Sequence, residues 1–315
     1  MMRWLDRLLL LAVALTVAAS VLPLGARLYW TLELSTHFRV QYLAATAVLL
    51  VLVALRRQWA ACAVLAAVGG ISAASVLPYV PLPFGEPAAA AGAPLKVLSI
   101  NVSYRPFSAR RLLEIIREAD ADVLIVQELT PHAESVLAAL DTEFPHNRKF
   151  PANGPYGIGI WSRYELESGA TIAISRRPAI EARVRGPSST FTVIGVHLSA
   201  PITQRRAAAR NQELRALAAH VAAIEGPLIV AGDFNATPYS PYFVEWLEAT
   251  GLTDSRRGRT LSVSWPTMLP IAGIPIDHVT VNDDFTILSH RRLANFESDH
   301  YGVLVELVLQ GAEQP

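Results

Sequence analysis

The sequence predicts an α/β sandwich, two sheets covered by helices, carried behind a group of membrane-spanning helices. Three observations predict it. Apolar residues crowd into uncharged runs before residue 90; beyond residue 95, short β-branched runs alternate with a few helical patterns; and several of those short runs end on polar side chains of one chemical kind. A chain of 315 residues is long enough for a membrane region and one sizeable folded part.

Hydrophobic residues make up 52% of the chain and charged ones 17%, with a mean hydropathy of +0.32, too apolar a balance for an ordinary soluble protein. The formal net charge is zero, so overall charge selects neither nucleic acid nor an anionic surface as partner. Arg supplies nearly all the positive charge, with Lys at positions 96 and 149 alone, a bias of composition rather than of function. The single Cys, Cys62, lies inside an apolar run, which excludes a disulfide framework and a thiolate metal site.

The first 80 residues read as a membrane region of about three transmembrane helices. The apolar runs cover 8–24, 40–55 and 59–80. A spanning helix needs about 20 apolar residues, with a range of about 17–25. The third run meets this, the first sits at the lower limit, and the second is short unless Phe38 and the stem of Arg39 extend it. Tyr29, Trp30, Tyr42, Trp59 and Tyr79 stand near the run ends, where amphipathic rings favour the membrane interface. The alternative, core helices of a soluble protein, would have to bury three uncharged runs placed close together.

Basic residues give the orientation. Arg3 and Arg7 flank the first run, and Arg56 and Arg57 form the turn between the second and third, so both are expected in the cytoplasm. The connection over 27–39, with two Arg against Glu33, opposes this weakly. Three crossings then place the remainder outside the cytoplasmic membrane. The first run also reads as a cleavable signal peptide, with a charged start and Ala18-Ala19-Ser20, and its removal leaves the remainder outside as well. Residues 81–94 are rich in Pro, Ala and Gly with Glu86 as the one charge, an extended linker. The folded part is expected over 95–310.

In that part, LKVLSINV over 95–102 reads as a strand ending at Asn101. A helical period follows over 108–119, with Ser108 placed as N-cap. VLIVQ within 122–127 is a buried strand, and it runs directly into Glu128, a charge that must face water, a partner or a metal. Helix is expected over 131–140, strands over 157–162 and 171–175, and a basic connection over 176–185. The strand over 190–198 carries His197 near its end. A long helix over 203–224 has Arg205, Arg206, Arg210 and Arg215 at helical spacing, for most of which a solvated face is the expected place. LIVAGDFN over 228–235 is the stretch on which the rest depends: a buried strand, a tight turn at Gly232, then Asp233 and Asn235 two residues apart and so able to project from one side. A short helix over 242–249, a strand over 276–281 holding Asp277 and His278, and a closing strand over 303–309 after Ser298-Asp299-His300 complete the order.

Asn101, Glu128, His197, Asp233, Asn235, Asp277, Asp299 and His300 are thus expected at strand ends. Carboxylates hold hard cations, and a metal so held offsets phosphate charge and activates water. A carboxylate or His near that water directs its attack. An amide or a charged His stabilises charge that develops on phosphoryl oxygens. Such a set suits phosphate-ester hydrolysis.

The motifs SINV, VQEL, GVHL, GDFNATP, IDHV and SDH, in that order, resemble the endonuclease/exonuclease/phosphatase superfamily, which includes deoxyribonucleases, abasic-site endonucleases, sphingomyelinases and inositol-polyphosphate 5-phosphatases. The resemblance spans about 95–309. It implies a four-layer α/β/β/α sandwich and Mg²⁺-dependent phosphoester hydrolysis, with Mn²⁺ able to substitute. By the same resemblance Glu128 would be the principal metal ligand, with Asn101 and Asp299 near the metal. Asp233 would orient or activate water, and Asn235 and His197 would contact the scissile phosphate, as would His300 held by Asp277. Tyr156, ahead of GIGIWS, is a weaker candidate phosphate contact. His278 receives no role and reads as a strand residue at the sheet edge.

The membrane runs ahead of such a domain resemble the membrane-anchored, VanJ-type branch. That branch implies the lipid bilayer and a phosphorylated lipid, such as undecaprenyl pyrophosphate, as partner and substrate. The short linker favours this by holding the site near lipid head groups. An extracytoplasmic nuclease is the alternative, with arginines at 205–215, 256–259 and 291–292 placed to follow a phosphate backbone; zero net charge and the lack of an aromatic stacking series weigh against it. A catalytically silent membrane-binding protein would show gaps among the site residues, and the sequence shows none.

Overall fold

The computed structural model describes residues 2–81, 92–174 and 177–310. The Pro/Ala/Gly-rich stretch expected to be a linker lies, over 82–91, outside the described residues.

Helix α1 (Met2–Val21) is followed by a 3-10 turn (Leu22–Gly25) and the short α2 (Trp30–Ser35). A second 3-10 turn (Thr36–Phe38) leads into α3 (Arg39–Leu55), and α4 (Trp59–Val76) runs back beside it. Among the described residues three segments are long and apolar enough to cross a membrane, Trp4–Gly25, Trp30–Leu55 and Trp59–Tyr79. The middle one gains its length from the residues before Arg39, the extension that the short 40–55 run required. The three helices pack on one another through Val13, Leu49, Val53 and Leu65. Gly69 of α4 lies against Thr46 of α3, where an added Cβ would stand 2.9 Å from the Thr46 methyl; small residues allow such close helix approach in lipid. Asp6 and Arg56 pair at 2.6 Å, joining the start of α1 to the α3–α4 turn.

The rest is two six-stranded sheets with helices outside. Its elements in order are β1 (Pro94–Asn101), α5 (Ala109–Ala119), β2 (Val123–Gln127), α6 (Pro131–Leu137), β3 (His146–Phe150), β4 (Ile158–Ser162), β5 (Leu166–Ile172), β6 (Ala179–Arg185) and β7 (Thr190–His197). Then come α7 (Gln204–Val221), β8 (Leu228–Asp233), α8 (Pro241–Thr250), β9 (Thr253–Asp254), β10 (Asp277–Val281), β11 (Phe285–Arg292) and β12 (Val303–Leu309). The first sheet runs β11-β12-β1-β2-β4-β3 and the second β5-β6-β7-β8-β10-β9.

Alternation along the strands builds the layers. Val97, Val123, Ile125, Ile160, Val193, Ile229 and Val279 fill the space between the sheets. The opposite faces of the same strands, with Leu98, Leu124 and Val126 in one sheet and Val196 and Val230 in the other, meet the helices. Leu112, Ile116 and Leu137 of α5 and α6 cover the first sheet; Leu214, Leu217, Phe243 and Trp246 of α7 and α8 cover the second. This is the expected α/β/β/α sandwich. Ser108 caps α5 by accepting from the Arg111 N–H, as its position before the helical period predicts.

Several sequence expectations move. Of the span 176–185, expected as a basic connection, residues 179–185 form β6, with Ala179, Ile180, Ala182 and Val184 buried against alternate charged positions; residue 176 lies outside the described residues. The strand expected over 171–175 begins earlier, at Leu166, and ends at Ile172. β3, β9 and β11 were not foreseen. β3 is a polar edge strand with no apolar run to announce it. Gly232 does not end its strand; β8 continues through it to Asp233. At φ +147° an added Cβ there would lie 1.9 Å from the Val196 carbonyl oxygen, so Gly is required for the close approach of β7 and β8.

The sandwich is joined to the membrane helices by specific contacts. Glu33 of α2 is buried against Arg210 of α7 at 2.8 Å and accepts from the Ser240 hydroxyl at 2.7 Å. His37 meets the Thr237 hydroxyl at 3.0 Å, and Gln41 of α3 donates to the Gly273 carbonyl at 2.8 Å. Arg27 pairs with Glu245 of α8. The Gly258 N–H donates to Pro78, beyond α4, and Tyr79 packs edge-on against Tyr239.

Candidate active site

Strand ends converge at one edge of the sandwich. In the second sheet His197 of β7 is in register with Asp233 of β8, and Asp233 with Asp277 of β10. In the first sheet Asn101 of β1 stands beside Gln127 of β2, whose next residue is Glu128. β1 and β2 are parallel, as are β7 and β8, so their C-terminal ends open on the same side, where α/β sheets commonly bind ligands. Glu128 and Asn235, just past their strands, both have left-handed backbones, with φ 57° and 48°. Asn adopts this conformation readily and Glu seldom does, so the turn after β2 is held by its surroundings.

Between the strand ends lies a pocket of about 410 Å³. Glu128, His197, Asp233, Asn235, Asp299 and His300 line it, with Tyr104, Arg177 and Arg206. Asn101 and Asp277 stand directly behind them. The Asn101 side chain is buried and donates from Nδ2 toward Asp233 Oδ2 at 3.3 Å and Glu128 Oε1 at 3.4 Å. Its Oδ1 accepts from the Ser103 N–H at 3.0 Å, which fixes the amide's direction. Asn101 therefore presents its nitrogen to the two carboxylates and orients them, rather than turning its oxygen toward a metal. Glu128 Oε2 accepts from the Tyr104 N–H at 2.8 Å.

His300 is held by Asp277, with Nδ1 2.9 Å from Oδ2, and its Nε2 lies 3.8 Å from Asp233 Oδ2 at the pocket floor. Burial alone would lower its pKa, but Asp277, by charge and hydrogen bond, and then Asp233 and Asp299 raise it to about 10. His300 is a cation at neutral pH. Burial, and then the charge of Asp277, raise the Asp233 carboxyl to about 7, so it can take a proton near neutrality. His197 behaves in the opposite way. Burial and the neighbouring Arg177 push its pKa well below 6.5, so it is a neutral ring, 3.5 Å from Asp233 and 3.8 Å from Glu128.

Arg177 was not foreseen as a site residue. Its Nη1 lies 3.2 Å from both ring nitrogens of His197 and donates to the Pro155 carbonyl at 3.0 Å. Its guanidinium centre sits 5.1 Å from the Tyr156 ring centre. The positive charge on this wall belongs to Arg177, not to His197. Tyr156, the weaker candidate, is half exposed beside Arg177 and outside the group lining the pocket. The sequence signal was the Arg176-Arg177-Pro178 step, read as part of a connection.

Asn235 donates from Nδ2 to the Leu198 carbonyl at 2.9 Å, and its own carbonyl accepts from Arg210 Nη1 at 2.8 Å. Arg210 is thus no solvated surface residue; it is fully buried between Asn235 and Glu33. Arg256 is likewise buried, donating to the Ser262 and Asp277 carbonyls, and Arg259 donates to Ile287. Arg292 lies over the Tyr301 ring at 4.2 Å. Of the arginines considered for a nucleic-acid track, Arg210, Arg256 and Arg259 are engaged in structure, whereas Arg205, Arg215, Arg257 and Arg291 are exposed. His278 is not at a sheet edge. It is fully buried, with Nδ1 3.0 Å from Asp254 Oδ2 and Nε2 2.9 Å from the Ala236 carbonyl.

The donor set fits a hard divalent cation. Glu128 and Asp299 face the pocket with oxygen donors, Asp233 stands beside them, and no thiolate is present. Asp233, Asp277 and His300 also lie close enough together to suggest a metal group. In that group, however, the His300 Nδ1 is occupied by Asp277 and the ring is cationic, so it is a hydrogen-bond donor rather than a ligand.

Two sheets in four layers, with carboxylates and a cationic His at their shared edge, define a phosphoesterase-like hydrolase. Residues 98–300 match the Endonuclease/Exonuclease/phosphatase family, and the chain belongs to it. Members of that family are metal-dependent phosphoesterases, and the chain is a hydrolase of this kind. Among solved structures, an endonuclease/exonuclease/phosphatase from Beutenbergia cavernae is 21% identical, with a TM-score of 0.59 over 70% of this chain and 72% of that one. The TDP2 protein of D. rerio, complexed with single-strand DNA product, is 16% identical with a TM-score of 0.59 over 68% of this chain and 99% of that one. The human Nocturnin catalytic domain, with bound sulfate, is 19% identical with a TM-score of 0.55 over 70% and 96%. These likenesses are of fold. No curated protein sequence matches the chain.

Proposed function

We propose that the chain is a membrane-anchored, Mg²⁺-dependent phosphoester hydrolase of the VanJ-type branch, acting on a lipid-linked phosphate such as undecaprenyl pyrophosphate. The observation that carries this reading is a shared wall. Leu34 and Phe38, from the start of the second apolar segment, Trp30–Leu55, line the same pocket as Glu128, Asp233 and His300. Apolar side chains of Ile202, Trp265, Ile274 and Ile276 continue that wall. A pocket with a charged floor and an apolar rim matches a substrate with a phosphate head and a hydrocarbon tail.

The contacts of Glu33, His37 and Pro78 put the 27–39 connection and the end of α4 on the sandwich's side. Arg56 and Arg57 lie at the other end of the helices, and the positive-inside tendency assigns that end to the cytoplasm. The sandwich then faces outward at the cytoplasmic membrane.

A divalent cation held by Glu128 and Asp299 would offset phosphate charge and make a bound water more acidic; Mn²⁺ satisfies the same oxygen donors. Asp233 accepts the proton of the attacking water. The His300 Nε2–H donates to a phosphoryl oxygen, and Asp277 keeps that ring charged and oriented. Asn235 and the neutral His197 supply further polar contacts to the phosphate, with Arg177 giving this side its positive charge. Asn101 fixes the Glu128 and Asp233 carboxylates relative to each other.

The test is Mg²⁺-dependent phosphate release from undecaprenyl pyrophosphate by the detergent-solubilised chain, run beside nicking of plasmid DNA, with Asp233→Ala as blank. Release without nicking supports the reading. Nicking without release overturns it in favour of a nuclease.

A further inference from the structure

From Thr260 to Ile276 the chain carries no charged residue. Within this stretch the backbone doubles back. Trp265 and Ile274 pair as an antiparallel bridge, and a 3-10 turn over Pro270–Ala272 closes the tip. At that tip Met268 is 91% exposed, Ile271 83% and Leu269 54%, so three large apolar side chains stand free within four residues. Single exposed apolar residues are ordinary, but a charge-free cluster at a loop tip marks a contact surface.

Two ties give the tip its place. Gln41, in the first turn of the spanning helix α3, donates to Gly273 at the tip's trailing side. Val40 and Leu43 of the same helix, with Tyr79 and Val80 beyond α4, pack with Leu261 and Tyr239 of the sandwich. The tip is therefore held beside the start of α3 and the residues that follow α4. On its leading side, Thr267 donates from N–H to the Asp299 carbonyl at 3.0 Å and from its hydroxyl to Ser298 at 2.7 Å. The neck residues Trp265 and Ile274 line the active-site pocket.

We propose that the 265–274 hairpin is a membrane-inserted finger whose tip, Met268, Leu269 and Ile271, enters the acyl region of the outer leaflet. Apolar loops without charge partition into that region, and here the insertion continues an interface that the three spans already make. The finger extends the bilayer's edge along its neck to the mouth of the pocket. Together with Leu34, Phe38 and Ile202 it forms an apolar passage, so that a phosphate on a lipid reaches Asp233 and His300 while its tail stays in hydrocarbon. The passage rests on the lipid-substrate reading; the insertion of the tip does not.

The test uses the full chain in phosphatidylcholine vesicles. Cys62→Ser removes the one native thiol, and Met268→Cys carries an environment-sensitive fluorophore. Glu225→Cys, exposed beyond the far end of α7, is the reference. Acyl-chain nitroxide lipids should quench the label at 268 about threefold more than the label at 225, with blue-shifted emission, as for a group below the head groups. Ile271→Asp should reduce that difference. Equal quenching at both positions, or shielding at 268 that follows protein concentration rather than nitroxide lipid, would overturn the finger in favour of a solvated loop or a contact between copies. Because no substrate is present, failure of undecaprenyl pyrophosphate as substrate would leave this result standing.

Discussion

Two aspartate–histidine pairs meet on β10, Asp277 with His300 and His278 with Asp254, contributed by adjacent residues that point to opposite faces of the strand. Their Nδ1-to-carboxylate distances, 2.9 Å and 3.0 Å, are nearly the same. The difference lies at the other nitrogen. His278 Nε2 is closed off by the Ala236 carbonyl, and its ring is packed 4.2 Å from the Phe243 ring. His300 Nε2 faces the pocket and Asp233 instead. A buried charge pair whose atoms are all engaged holds the fold; one with an open donor at a pocket can act on a substrate. By that criterion Glu33–Arg210 belongs with the first kind, since Arg210 is also committed to the Asn235 carbonyl.

The largest effect that would break this comparison is at the open nitrogen. His300→Ala should lower kcat by about 10²–10³-fold, as loss of one charge-stabilising donor does, with little change in KM. His278→Ala should act on folding instead, lowering stability by about 3–5 kcal/mol because Asp254 is left buried without its partner. Thermal unfolding beside steady-state kinetics on both variants separates the two; a catalytic defect confined to His278→Ala would reverse the assignment.

Glu33→Ala should also destabilise, by about 3 kcal/mol or more, by stranding the buried Arg210 guanidinium. Arg210 holds the Asn235 turn, so some loss of kcat should accompany the lower melting temperature. A variant with unchanged melting would show that the pair is not needed to seat the membrane connection on the sandwich.

Smaller and sharper is the pH response. The folded pKa of His300, about 10, exceeds its ordinary 6.5, so the folded state binds the extra proton. The stability that this contributes is complete below 6.5 and is lost as pH rises through about 10. Metal-free unfolding between these limits should show it, and Asp277→Asn should flatten the loss, since Asp277 is the main raising influence. Activity should rise through about 7 as Asp233 ionises and fall again toward about 10 as His300 loses its proton. Asp254→Asn should leave both limbs in place.

Much of this was legible in the sequence because the site sits at strand ends. Buried strands announce themselves by β-branched runs, and a charge at the end of such a run has few places to go, which is how Glu128 and Asp233 could be picked out; His300, in the bend before β12, was legible through the Ser298-Asp299-His300 motif. Strands without apolar runs were missed: β3 is polar up to its last residue, Phe150, and the alternation in β6 was masked by its arginines. Arg177 and the Glu33–Arg210 pair were illegible for another reason. They depend on segments distant in sequence meeting in space, 177 residues apart for Glu33 and Arg210. The direction of the Asn101 amide likewise follows from a local bond to Ser103 that no residue pattern reveals.

The central claim is that Glu128 anchors a divalent cation that the chemistry requires. It is tested most directly by titrating Mg²⁺ into the chelator-treated chain while following hydrolysis of a chromogenic phosphoester, for wild type and Glu128→Gln. The account predicts no turnover in chelator, saturable recovery with Mg²⁺, and a half-saturating Mg²⁺ concentration at least about tenfold higher for Glu128→Gln. Full turnover in chelator, or the same Mg²⁺ requirement in both proteins, would contradict it.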